Sequence, residues 1–138
     1  MSVEFIVNGD TVEEPVTAEL IARSIHSLTG EGDSFAILAR DSQVYIQTSG
    51  GPKGGFILEY RDGSEAEHYA SANTKLSADE VIRAMQRYLA NDSRWKTDID
   101  WESLAFESAG GSNGKVLVFA VLILLMGGWL TWKLFLTT

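Results

Sequence analysis

The C-terminal apolar run limits most strongly what this chain can become. From Val116 to Trp132 it reads VLVFAVLILLMGGWLTW without a charged residue, and after Lys133 it continues through Leu134, Phe135 and Leu136. Taken from Val116 to Leu136, the run gives roughly 31 Å of helix at 1.5 Å per residue. That matches the roughly 30 Å hydrocarbon core of a bilayer. A helix satisfies its own backbone hydrogen bonds and can therefore cross lipid. The alternative, a buried core helix, fits poorly, because the run is apolar on every face and the rest of the chain is too small to enclose it. Lys133 can snorkel its ammonium to the far interface, where Trp129 and Trp132 would sit at headgroup level, with Lys115 at the near one. Gly127 and Gly128 permit close packing against another helix, although no GxxxG frames them.

Orientation follows from the flanks. The opening MSVEFIVNGD is acidic and has no long apolar stretch, so it does not read as a secretory signal. With so little sequence after Leu136, a tail-anchored, single-pass topology is expected, with the N-terminal domain in the cytosol. Arg94, Lys96 and Lys115 precede the run against Lys133 after it, which agrees with that orientation.

The chain divides into a soluble domain over residues 1–107, a flexible linker over 108–114 and an anchor over 115–138. The linker, SAGGSNG, would span about 15 Å r.m.s. as a random coil and keep the domain near the membrane. All 19 acidic residues precede Lys115, against nine of the eleven Lys and Arg, for a formal charge of −10 on that part. Such a surface repels phosphates, so no direct nucleic-acid contact is expected. It suits a basic partner, or serves only solubility. No cysteine is present, which excludes disulfides and thiolate chemistry.

Val3, Phe5 and Val7 alternate with Glu4 and Ile6, a strand ended by Asn8-Gly9-Asp10. Thr17 can cap a helix carrying Leu20, Ile21, Ile25 and Leu28, closed by Gly30. Ser34–Arg40 and Gln43–Thr48 read as strands joined at Asp41-Ser42. GGPKGG follows, then the strand Phe56–Arg61, the Asp62-Gly63 hairpin signal and a returning strand Ala66–Ala70. Ser77 and Glu80 form a capping box ahead of Val81, Ile82, Met85, Tyr88 and Leu89. Trp95–Trp101 is expected to be a last strand or an ordered extension. The order β-α-β-β-β-β-α, with an optional final strand, predicts an α+β domain: a mainly antiparallel sheet with two helices on one face, plus the C-terminal transmembrane helix.

Catalytic groups are hard to assemble. His26 and His68 belong to no metal-ligand spacing and read as structural histidines. GGPKGG lacks GxxxxGK[ST] and precedes a strand, so it reads as a hairpin loop and not a phosphate cradle. Glu59, Asp62, Glu65 and Glu67 bracket a hairpin, and their alternation reads as the solvated face of a sheet. No enzyme activity, cofactor or metal is expected. The stretch holding Trp95, Asp98, Asp100, Trp101, Glu102 and Phe106 is different. Trp is enriched at binding hot spots, and acidic neighbours complement a basic partner. The competing reading is that both Trp side chains close the core of a small domain.

Together, FILEYRDGSEAEHYA, the helix SADEVIRAMQRYLAND and the trailing WKTDIDWE resemble the small immunity proteins of bacterial polymorphic toxin systems, over roughly residues 3–102. The resemblance implies a small α+β domain that neutralises a toxin by occluding its active surface. Many such toxins act on nucleic acids and are basic, which suits the charge. A membrane anchor departs from the usual soluble form. Two expectations stand: a membrane-tethered inhibitor binding a basic protein through Trp95, Asp98, Asp100, Trp101 and Glu102, or an accessory subunit held in a membrane complex mainly by its helix, with a membrane-embedded partner.

Overall fold

The computed structural model describes residues 2–104, and every structural statement below concerns those residues. Seven strands form one antiparallel sheet in the order β2-β1-β3-β4-β5-β6-β7. These are β1 (Glu4–Val7), β2 (Asp10–Thr11), β3 (Phe35–Asp41), β4 (Val44–Gly51), β5 (Gly55–Asp62), β6 (His68–Ser71) and β7 (Trp101–Ser103). The helices are α1 (Ala18–His26), α2 (Ala78–Leu89) and the single turn α3 (Arg94–Thr97). This is an α+β fold, as the pattern of elements predicts. Three local details differ. Asn8 takes φ +52° and Gly9 φ +90°, which ends β1 where expected and also turns the chain back as a short added strand, β2. Asp62-Gly63 opens a longer loop through the 3-10 turn Glu65–Glu67. Trp95–Trp101 is first a helical turn and only then a strand.

Both longer helices are short for isolated stability and depend on their caps and one packed face. The Thr17 side chain accepts from the Leu20 N–H at 3.1 Å, and Ser77 with Glu80 completes a capping box. Leu20, Ile21 and Ile25 of α1 join Val81, Ile82, Met85 and Tyr88 of α2 over Phe5, Leu38, Ile46, Phe56, Leu58 and Tyr60 of the sheet. The Gln86 side chain donates to the Ala18 carbonyl at 2.9 Å, tying the two helices together. Arg40, on β3, donates to the Tyr88 carbonyl at 2.6 Å and lies 5.0 Å from the centre of its ring. A cation is thereby placed at the negative end of α2.

β3 has a different character. Phe35-Ala-Ile-Leu-Ala39 contains no polar residue, so apolar side chains leave both faces of the strand. Ala36 and Leu38 enter the helix-side core, while Ile37 and Ala39 join Ile6, Tyr45 and Phe35 in a second, smaller cluster on the opposite face. No residue of α1 or α2 belongs to that second cluster.

GGPKGG is a β4–β5 hairpin closed by Gly51 opposite Gly55, as its sequence context indicates. Gly51 is held there by close approach: a Cβ on it would run into the Thr29 carbonyl oxygen and the Gly30 nitrogen. Among the described residues no helix is long and apolar enough to cross a membrane. The linker, Phe106, Lys115, the Val116–Leu136 run, Gly127, Gly128, Trp129, Trp132 and Lys133 lie outside the described residues. Gly51→Ala is expected to destabilise the domain by about 1–3 kcal/mol, the usual cost of forcing atoms into packed space. Denaturant unfolding of the variant measures it, and Gly54→Ala, where a Cβ meets nothing, is the control.

Candidate functional site

Two side-chain groups stand out, one on each face of the sheet near its β5–β7 side. The first surrounds Tyr60, which is 3% exposed. Its ring stacks on Tyr69 at 4.9 Å and receives the edges of Trp95 at 4.8 Å and Trp101 at 4.7 Å. Trp95 also meets Tyr88 of α2 at 5.1 Å, and Lys96 places its ammonium 5.6 Å from the Tyr60 ring centre. Edge-on and offset-stacked aromatic pairs of this kind add stability beyond the area they bury. The Trp101 indole N–H donates to the Lys96 carbonyl at 2.9 Å, fixing the turn between α3 and β7. Both tryptophans therefore pack against the core while staying half-buried.

The acidic residues around them are divided by the fold. Asp98 is exposed and pairs with Arg87 of α2, clasping the segment to the helix. The Asp100 side chain is exposed, while its carbonyl accepts from the Ala72 N–H at 2.8 Å. Glu102 is exposed and pairs across strands with Ala70, and Ala70 pairs in turn with Glu59. Residues opposite one another in a sheet share a face. Glu102 thus points away from the helices, whereas Trp101 points toward them. The sequence cluster is real in space, but it wraps around β7 and does not form one flat surface.

The second group lies on the face without helices. One cross-strand row runs Ile6, Ile37, Gln47, Glu59, Ala70, Glu102, and the adjacent row includes Ala39, Tyr45, Arg61 and His68. Gln47 donates to Glu59 Oε2 at 2.9 Å, and His68 Nε2 lies 3.6 Å from the same oxygen. Arg61 donates to His68 Nδ1 at 2.9 and 3.2 Å and to Gln43 at 2.7 Å. A guanidinium can only donate, so Nδ1 is the acceptor and the neutral ring carries its proton on Nε2. Tyr45 meets the His68 ring edge-on. Glu59 and Gln47 are each 2% exposed and His68 is 4% exposed. The expectation that Glu59 belongs to a solvated face is therefore wrong. His26, by contrast, sits exposed at the end of α1.

Burial sets the ionisation of this group, because charge is poorly solvated away from water. It pushes Glu59 up to about 8, with the Gln47 hydrogen bond and the Arg61 charge pulling partly back. Burial, with the Arg61 charge second, lowers His68 to about 4, and burial raises the Tyr45 phenol to about 12. Near neutral pH the carboxyl and the imidazole are both uncharged. Tyr45 Oη, Gln47 Oε1, Glu59 Oε1 and His68 Nε2 are buried without a hydrogen-bond partner. The all-apolar run of β3 was the available signal: it shows that the second face is an interior, so polar residues in register with it are buried too.

Among the described residues no group of three or more His, Asp or Glu side chains could hold a metal ion. No protein-family model, curated protein or solved structure matches the chain.

The proton bookkeeping gives a pH dependence. Between pH 6.5 and about 8 the unfolded chain has already released the Glu59 proton that the folded chain keeps, so stability falls as pH rises. From about pH 4 to 6.5 neutral His68 acts oppositely, because the unfolded chain there binds the proton that the folded chain refuses. Urea midpoints are expected to be lower at pH 8 than at pH 6.5. Glu59→Gln is expected to abolish that difference.

Proposed function

We propose that this protein is a membrane-tethered, protein-binding module of the inhibitor or immunity type, which neutralises a basic protein partner and is not an enzyme. One observation carries the reading. Asp98, Asp100 and Glu102 present exposed carboxylates around half-buried Trp95 and Trp101 at the β7 end of the sheet. An amphipathic indole flanked by acids offers a partner apolar contact and charge together. The net charge of the domain would speed encounter with a basic surface. The resemblance of residues 3–102 to immunity proteins of polymorphic toxin systems points the same way.

In this reading Val116–Leu136 is a single-pass anchor that holds the domain on the cytosolic side. Lys115 and Lys133 lie at its two interfaces, and Trp129 and Trp132 sit beside Lys133. A tethered inhibitor at that position would meet a toxin as it enters the cell. The second reading, an accessory subunit of a membrane complex, is favoured by Gly127-Gly128, which would let a neighbouring helix approach closely.

Purification from gentle detergent separates the two, using the full chain and residues 1–108. Partners kept by the soluble fragment support the inhibitor, and partners lost with the apolar run support the subunit. Against a retained partner, Asp100→Lys with Glu102→Lys is expected to slow association about tenfold or more at low ionic strength, the scale of electrostatic steering. The melting temperature should not change, since both side chains are exposed. An unchanged association rate would place the binding face elsewhere. Trp101→Ala is expected to destabilise the domain by roughly 2–4 kcal/mol by emptying one side of the Tyr60 cluster, and thermal unfolding measures it.

A further inference from the structure

The helix-free face of the sheet is built as an interior. Ile6 and Ile37 are 0% exposed and Tyr45 is 1% exposed, yet α1 and α2 both lie on the other face. A sheet face meant for water places polar residues at such positions. Here β1, β3 and β4 place Ile6, Phe35, Ile37, Ala39 and Tyr45 there instead. We propose that the apolar run Val116–Leu136 docks across this face of its own domain when it is not in a bilayer, so that one segment is core cover in one state and anchor in the other. The proposal rests on the anchor reading above and adds a second seat for the same residues.

Connection and length favour this occupant over a second copy or a separate protein. The Leu104 N–H donates to the His68 carbonyl at 2.9 Å, so the last described residue lies at the β7 end of the sheet. Residues 105–115 can extend up to roughly 36 Å. The distance from β7 across to β1 is about 24 Å, five strand spacings. The run itself, roughly 31 Å as a helix, is long enough to cross the apolar half of the face. A segment on so short a tether acts at an effective concentration of about a millimolar, far above an ordinary partner.

The same face contains the reason the seat is reversible. Tyr45 Oη, Gln47 Oε1, Glu59 Oε1 and His68 Nε2 are buried without hydrogen-bond partners among the described residues, and an apolar cover offers them few. Each orphaned polar group raises the free energy of the covered state. The run is thus held well enough to shield both apolar surfaces from water, and weakly enough for a bilayer to draw it away. Insertion would then open the Ile6–Ile37–Tyr45 face at the membrane and nowhere else.

The chain has no cysteine, so Ala39→Cys in the full chain is the sole thiol. In dilute detergent-free buffer, maleimide labelling is expected to be at least about tenfold slower than with phosphatidylcholine–phosphatidylglycerol vesicles, as a face more than nine-tenths covered requires. Phe35→Cys, a partly buried position on the same face, replaces it if the first variant misfolds. Ala39→Cys with Leu124→Cys and a bifunctional maleimide should give an intrachain product in buffer and little of it with vesicles. Fast labelling in both conditions, or a cross-link only between two chains, overturns the proposal. Flotation with vesicles is read separately. A chain that cross-links within itself but never floats sinks the anchor reading and leaves the docking intact, whereas one that floats without an intrachain product does the reverse.

Discussion

A sheet has two faces, and this one spends its two long helices on a single side. That imbalance governs the rest of the molecule. β3 sits near the middle of the sheet and is apolar in both directions, so neither face can be left to water without cost. On the helix side the requirement is met by α1 and α2, whose short lengths are compensated by caps and by close packing over Phe5, Leu38 and Leu58. On the other side Ile6, Ile37 and Tyr45 form an interior surface to which the described helices contribute nothing.

The Tyr60 cluster solves a smaller problem of the same kind. β6 and β7 are short, and β7 alone would be a weak edge. Trp95 and Trp101 bring aromatic area onto Tyr60 from a helical turn and a strand that otherwise have little to hold them. The Asp98–Arg87 pair fastens the same segment to α2, though at such exposure the pair guides geometry more than it stabilises. Structural and binding roles for the tryptophans are therefore compatible. Their inner edges complete the core, while both rings stay half-buried and Asp100 and Glu102 are exposed beside them.

The buried Gln47–Glu59–His68 set shows what happens when polar residues fall in register with an apolar strand. Arg61 and Gln47 satisfy one atom each of His68 and Glu59, and the remaining atoms have no hydrogen-bond partner among the described residues. Desolvation then keeps both titratable groups neutral near pH 7, so the site behaves as two uncharged polar side chains and not as an ion pair. Anything that opened the face would let Glu59 ionise, which links exposure of this surface to proton release.

The sequence by itself determined the α+β class, the two long helices and their caps, the hairpin at GGPKGG, the acidity of the domain and the apolar run after it. Each of these is written in local periodicity or composition, which short-range sterics and burial enforce. It also brought Trp95 through Glu102 forward as a unit. Only the tertiary structure decided that Trp101 and Glu102 point to opposite faces, that β2 and α3 form, and that Glu59 is buried. Those outcomes depend on strand register and on which face the helices choose, and both are fixed by contacts between residues far apart in the chain.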